Sequence, residues 1–240
     1  VDPDSSTDSF SGNASILDAY GQVNVADSFS LRLGNFRAPL LQSALMDRNR
    51  TLFIDRSVLG STFANRTAGA MAYGDFEMVG WYLAVQNGVD GLADDYQFTG
   101  RITIDILGEG AGAMNEGAYN AGEETNLMIG AAFSDDGSLD NGTIITGEAY
   151  LATGPFSLAA EVADFDSDFA LFGDSTPWAA TGSFMITEAY EIGLRYQDLD
   201  DTDNTNLISG VLAWYHDDWN TKWQLQYSTA DSDNDMLDSD

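Results

Sequence analysis

The chain has 240 residues and no cysteine, and its 39 Asp and Glu residues against nine Lys and Arg residues give a net charge of -30. Hydrophobic residues make up 44% of the chain and aromatic residues 12%, which excludes intrinsic disorder despite the charge. The lack of cysteine excludes disulfides, thiol catalysis and cysteine metal sites. The negative charge argues against nucleic-acid binding, because the phosphate backbone would be repelled.

Period-two alternation of apolar and polar residues, which is typical of half-buried strands, recurs along the chain. In residues 95–106 the even positions carry apolar residues or glycine and the odd positions carry polar residues. The pattern predicts twelve strands: 16–24, 29–36, 67–74, 77–87, 96–107, 125–134, 142–152, 155–165, 177–187, 189–198, 205–216 and 219–230. The predicted fold class is therefore all-β, with residues 1–240 forming a single domain.

The length of these strands favours a transmembrane β-barrel with antiparallel strands. A strand in a soluble sandwich has about five or six residues, whereas a strand tilted across a bilayer needs about nine to eleven. In such a barrel the polar face of each strand meets a wet interior and the apolar face meets lipid. The pattern leaves open the alternative of a soluble acidic sandwich with its aromatic residues in the core.

The connections are of two kinds, short turns and longer acidic loops, and they alternate as in outer-membrane barrels. Tight turns are predicted at Gly74-Asp75, 153–155, Thr187-Glu188 and Asp217-Asp218, and longer loops at 88–95, 135–141, 166–176 and 199–204. The Gly/Ala-rich stretch 108–124 falls where a short turn is due. Its composition predicts a flexible linker.

Positive charge is concentrated in the connection 37–66, which has five arginines against two aspartates and therefore a net charge of +3. Its arginines are Arg37, Arg48, Arg50, Arg56 and Arg66. A connection of this length is uncommon and usually functional. In a barrel it would fold into the lumen, where rings of arginine select anions. The alternative is a surface loop whose arginines pair with acidic neighbours.

Several runs of residues resemble one known family. LRLGNFRAPL at 31–40 resembles a strand-to-loop junction, and FIDRSVL at 53–59 an inward-folded constriction loop, of the bacterial phosphate-selective porin O/P family. GPFSLAAEV at 154–162, ITEAYEIGLRYQDLD at 186–200 and WYHDDWNTKWQLQYSTADSD at 214–233 are similar to later strands of these barrels. Arg56 matches the arginine of the constriction loop best, and Arg37 matches a basic position just after the strand.

The resemblance implies a sixteen-stranded porin in the outer membrane of a Gram-negative bacterium, assembled as a homotrimer in contact with lipid and lipopolysaccharide. It would be a passive diffusion channel for small hydrophilic solutes with a preference for anions, including phosphate. The chain has one lysine where family members have many, so a general or weakly anion-preferring pore is expected. Three further strands are expected before this chain and one after it. Polar strand positions predicted to line the pore are Arg32, Arg101, Arg195, Glu148 and Glu161.

Other functions remain as alternatives. One is a non-conducting secreted or surface protein that serves as an adhesin or scaffold, and another is a cation-preferring general porin. No catalytic constellation is present, and His216 has neither a second histidine nor a cysteine with which to hold a transition metal. No cofactor is predicted, although the acidic strings 198–203 and 231–235 could hold Ca²⁺ or Mg²⁺ through carboxylate oxygens.

Overall fold

A computed structural model describes residues 17–26, 28–108, 115–121, 124–166 and 173–233 of the chain. In these residues twelve strands form one antiparallel sheet, and each strand pairs with the next one along the chain. The strands are β1 (Ala19–Ala26), β2 (Phe29–Arg37), β3 (Arg66–Phe76), β4 (Val79–Asn87), β5 (Tyr96–Leu107), β6 (Asn126–Asp136), β7 (Thr143–Thr153), β8 (Phe156–Phe165), β9 (Trp178–Thr187), β10 (Tyr190–Asp198), β11 (Asn206–Asp217) and β12 (Thr221–Asp231). The all-β prediction is confirmed, and each predicted strand end lies within three residues of an observed one.

One predicted turn is wrong. The turn placed at Gly74-Asp75 lies at Glu77 and Met78, because β3 continues to Phe76, which pairs with Val79. Glu77 adopts a left-handed conformation with φ of 53°. Two-residue hairpins favour asparagine, aspartate or glycine in that conformation, so the glycine-aspartate pair was the stronger signal in the sequence.

The connection between β2 and β3, residues 38–65, contains the helices of the described residues. Helix α1 (Gln42–Leu45) and helix α2 (Val58–Thr62) flank a 3-10 turn at Arg48–Arg50. The Ser57 hydroxyl caps α2 by accepting a hydrogen bond from the backbone N–H of Gly60 at 2.9 Å. No helix in the described part of the chain is long and apolar enough to cross a membrane. We call residues 38–65 the long connection.

The long connection crosses one face of the sheet. Gln42 accepts a hydrogen bond from Arg101 on β5, and Asn49 accepts one from Lys222 on β12. Residues 42–58 of the long connection therefore contact side chains on strands from β5 to β12. We call the side of the sheet that the long connection covers the inner face and the opposite side the outer face.

The two faces have opposite chemistry. On the outer face large apolar side chains are open, such as Leu83 at 61% and Leu194 at 60% exposure. On the inner face polar and charged side chains are covered, such as Gln86, Glu191 and Arg195, each 1% exposed or less. The alternation read from the sequence is therefore present, but with the polar side of the strands buried. A soluble β-sheet normally buries the apolar side.

Candidate functional site

Backbone N–H groups of the long connection are held by side chains of the inner face. The N–H of Gln42 donates to Glu148 Oε2 on β7 at 2.6 Å, and the N–H of Val58 donates to Gln197 Oε1 on β10 at 2.7 Å. Glutamate and glutamine acceptors from separate strands thus fix both helices of the connection. Because a buried N–H without a partner is costly, these contacts determine where the connection lies.

Apolar residues of the long connection provide the packing. Its buried residues with those of the facing strands form one cluster: Ala38, Leu40, Leu41, Ala44, Leu59, Phe63, Ala132, Ile144, Ala163 and Phe165. The ring of Phe63 stacks on that of Phe165 on β8, with centroids 5.6 Å apart. Leu52 packs in a second cluster, beside Gly193 on β10. A Cβ at residue 193 would lie 2.6 Å from Leu52 Cδ2, so glycine permits this close approach.

Two of the predicted constriction arginines hold the end of helix α1. Arg37 donates through Nη1 to the Leu45 carbonyl at 3.2 Å. Arg56 donates through Nη2 to the Met46 carbonyl at 2.5 Å and through Nη1 to the Ser43 carbonyl. Burial and then the charges of Arg37 and Arg48 lower the pKa of Arg56 to about 10, so it is cationic at neutral pH. The arginines therefore lie near one another and also serve the fold of the connection.

The other three predicted constriction arginines are in different surroundings. Arg66, at the start of β3, forms an ion pair with Asp18, with Nε and Oδ1 2.9 Å apart. That hydrogen bond is the main cause of a lowered pKa of Asp18. Arg48 is exposed in the 3-10 turn, whereas Arg50 is half-buried there.

The predicted lining residues all lie on the inner face. Arg101 and Glu148 form a buried ion pair, with Nη2 and Oε1 2.5 Å apart. Arg195 pairs with Glu116, and its guanidinium carbon lies 3.9 Å from the centre of the Phe53 ring. These ion pairs place opposite charges beside each other under the long connection.

The two remaining predicted lining residues have neutral polar partners. Glu161 accepts a hydrogen bond from the Ser57 hydroxyl of the long connection. Arg32 donates to Gln22 Oε1 at 3.0 Å, and its guanidinium carbon lies 4.3 Å from the centre of the Tyr20 ring. All five predicted lining residues are therefore on the polar face of their strands, and the sequence did not predict their partners.

All nine basic residues of the chain lie in the described ranges. Five are in the long connection or at the strand ends beside it, and four are on the inner face: Arg32, Arg101, Arg195 and Lys222. Sequence reasoning did not single out Lys222, which donates to the carbonyls of Asn49 and Thr51. The sequence feature that could have identified Lys222 is its position on the polar side of an alternating strand.

Residues 115–121, within the stretch predicted to be a flexible linker, form a second segment on the inner face. Glu116 Oε2 accepts hydrogen bonds from the N–H groups of Leu52 and Phe53 at 2.6 and 3.1 Å. The Ala118 N–H donates to Glu191 on β10 at 2.5 Å. The linker interpretation is therefore wrong for residues 115–121, which we call the second segment. Residues 109–114 and 122–123 lie outside the described ranges.

The acidic strings are not arranged as a metal site in the part of the chain that the structure describes. Asp198 accepts from the N–H of Asp200, and Asp201 accepts from the N–H of Thr205, so these carboxylates support the local turn. No three His, Asp or Glu residues of the described ranges are grouped to hold a metal ion. The last two residues of the string 231–235 lie outside those ranges. His216 lies near the end of β11, with its ring edge-on to Trp214 at 5.2 Å between centroids.

Comparisons with known proteins do not assign this chain to a family. No protein-family model matches the chain, and no curated protein matches it either. The resemblance to the phosphate-selective porin O/P family therefore stays a prediction. The functional argument depends on the residues and contacts described above.

Proposed function

We propose that the chain forms the wall and the constriction of a passive pore in a bacterial outer membrane. The observation that carries this proposal is the inversion of the two faces, with apolar side chains open outside and charged side chains covered inside. Lipid is the solvent that an open apolar face requires, and a closed barrel is the only sheet that satisfies its backbone in lipid. The long connection would narrow the lumen.

The proposal includes closure of the sheet into a barrel of sixteen strands, assembled as a homotrimer in contact with lipid and lipopolysaccharide. β1 and β12 are the edge strands of the described sheet. Exposed edges attract other chains, and a barrel removes them, either by pairing its edge strands or by adding strands between them. The resemblance supports four further strands. The alternation of short turns and longer connections supports the same architecture.

Small anions are the proposed solutes, with phosphate as one of them. The basic residues are on the inner face, in the long connection or at the strand ends beside it, and three carboxylates of the inner face accept hydrogen bonds: Glu148 from Arg101, Glu161 from Ser57 and Glu191 from Ala118. In the described residues Arg37 and Arg56 donate to carbonyl groups and form no ion pair. Their field would raise the local concentration of anions at the constriction.

A cation-preferring pore is the second candidate, because carboxylates balance three of the arginines. Arg66 pairs with Asp18, Arg101 with Glu148 and Arg195 with Glu116. The remaining chain is strongly acidic, and acidic residues near the pore mouths would attract cations. A reversal potential measured across a planar bilayer under a salt gradient separates the two candidates. We expect the sign that reports anion preference.

The charge of Arg48 provides the sharper test, since its side chain is exposed. A unit charge about 6 Å from a passing ion in water changes its energy by about 0.7 kcal/mol, or about threefold in local concentration. The same charge lowers the local concentration of cations about threefold, so we expect Arg48→Gln to lower the anion-to-cation permeability ratio about tenfold. Arg66→Gln is the matched control, because its charge is already paired with Asp18, and it should change the ratio less.

Three outcomes would contradict parts of the proposal. A wild-type protein that inserts into the bilayer without passing current would exclude the pore and favour the adhesin or scaffold alternative. A wild-type reversal potential of the opposite sign would favour the cation-preferring pore, with Glu148 and Glu161 as the next residues to replace. Equal effects of Arg48→Gln and Arg66→Gln would show that selectivity is not set in the long connection.

A further inference from the structure

The long connection is held from one direction by the strands and from another by the second segment. Strands β2 and β5 run in opposite directions, so the long connection leaves one end of the sheet and the connection containing the second segment leaves the other end. The two segments meet on the inner face, where Glu116 contacts Leu52 and Phe53. The two segments therefore approach each other over the inner face from opposite ends of the sheet.

Glu116 is the centre of this meeting point. One carboxylate oxygen accepts hydrogen bonds from the N–H groups of Leu52 and Phe53, and the other accepts a hydrogen bond from the guanidinium of Arg195. The N–H of Glu116 itself donates to the carbonyl of Arg50 at 3.3 Å. Hydrogen bonds that involve a charged group are about twice as strong as neutral ones, so Glu116 is a strong anchor for the N–H groups of the strip that follows the 3-10 turn. Lys222 and Gln224 on β12 hold its carbonyl groups.

The second segment is itself anchored to the wall at two further places. The Ala118 N–H donates to Glu191 and to the Ser183 hydroxyl, at 2.5 and 3.0 Å. The ring of Tyr119 stacks on that of Tyr215, with centroids 3.6 Å apart and the planes 3° from parallel. A segment with these anchors on β9, β10 and β11 is a fixed support for the long connection.

We infer that Glu116 is a positioning residue that sets the width of the pore by holding residues 50–53 of the long connection against the inner face. The inference rests on the proposed pore for its effect on current. Its structural part does not, because the contacts of Glu116 exist whether or not the chain conducts. When Glu116 releases Leu52 and Phe53, the connection moves and the cross-section available to ions changes. Arg195, 1% exposed, then loses its carboxylate partner.

Hydrogen exchange of the purified protein in detergent tests the structural part. Glu116→Gln keeps the shape of the side chain but removes its charge, so it weakens the hydrogen bonds to Leu52 and Phe53. We expect exchange of the amides in residues 50–53 to become about tenfold faster or more, with the strand amides unchanged. Glu124→Gln is the matched control, because it removes the same charge from an exposed residue of the same connection.

Single-channel recording tests the functional part on the same variants. We expect Glu116→Gln to change the open-channel conductance and to increase its current noise, while Glu124→Gln conducts like the wild-type protein. If Glu116→Gln does not fold, Glu116→Gln with Arg195→Met removes the unpaired buried charge and gives the same readouts. Unchanged exchange at residues 50–53 would overturn the positioning role.

The outcomes separate this inference from the proposed function. Faster exchange with unchanged conductance and noise would show that Glu116 holds the connection but does not set the pore width, which overturns the functional part. If Glu116→Gln speeds exchange but the wild-type protein carries no current, the proposed pore is contradicted and the contact made by Glu116 is still supported. Equal exchange in the Glu116→Gln and Glu124→Gln variants would show that the carboxylate is not the anchor.

Discussion

The inner and outer faces of the sheet are made by the same strands, yet they differ in polarity and in exposure. On β10, Leu194 points outward and is open, while its neighbour Arg195 points inward and is covered by the long connection and the second segment. Adjacent residues of a strand face opposite sides, so this one step separates the two environments. The comparison teaches that the charge of this protein is organised by face, with four of its nine basic residues on the inner face and the other five in or beside the connection that crosses it.

Breaking the buried ion pair of the inner face should have the largest effect. Arg101 and Glu148 each have a side chain that is 1% exposed. Replacing Arg101 with methionine leaves a buried carboxylate without its cation, which costs about 3–5 kcal/mol in the free energy of unfolding. Urea unfolding of the protein in lipid vesicles, followed by tryptophan fluorescence, measures this loss.

The double variant Arg101→Met with Glu148→Met is the control for that measurement. It removes both charges, so we expect it to recover much of the stability that Arg101→Met loses. If Arg101→Met unfolds within about 1 kcal/mol of the wild-type protein, water reaches the pair and this part of the inner face is not packed as described.

A charge on the outer face should have the next largest effect. Leu83, at the middle of β4, is 61% exposed and Leu92 in the β4–β5 connection is 57% exposed, so the two are matched in exposure. In lipid, Leu83→Arg should lower the free energy of unfolding by about 2–4 kcal/mol, because its charge enters the hydrocarbon. Leu92→Arg should change the free energy of unfolding by less than about 0.5 kcal/mol.

Equal effects of these two variants would contradict the contrast between the faces. In water, an arginine at either site would be hydrated, and both substitutions would behave as ordinary surface changes. A loss confined to Leu83→Arg locates the hydrocarbon at the middle of the strands. Measuring the unfolding of both variants in detergent and in vesicles distinguishes a protein that is inserted in the bilayer from one that is only dissolved.

The strands could be predicted from the sequence because the alternation is local information. Residues 96–107 were predicted as a strand with those bounds, and β5 has them. The same alternation placed Arg101 and Arg195 on the polar side of their strands, where the structure has them. Clustering of arginines between residues 37 and 66 also identified the connection that crosses the inner face.

The contacts of the connections could not be predicted, since they depend on residues far apart in the chain. Glu116 and Leu52 are 64 positions apart, and a Gly/Ala-rich composition gives no periodicity that would bring them together. The sequence likewise suggested arginines that point at solutes, whereas Arg37 and Arg56 donate to the carbonyls at the end of α1. Glu77 showed the same limit at a turn, where pairing of Phe76 with Val79 imposed the left-handed conformation.

The central claim is that lipid covers the outer face, and tryptophan fluorescence tests it most directly. Trp214 and Trp223 lie on the outer face, whereas Trp219 packs inside against Tyr119 and Tyr215. Variants that retain one of these tryptophans are placed in vesicles whose acyl chains carry a shallow nitroxide. The account predicts that the lipid nitroxide quenches Trp214 and Trp223 but not Trp219. Quenching of Trp214 and Trp223 by aqueous acrylamide, with none by the lipid nitroxide, would contradict it.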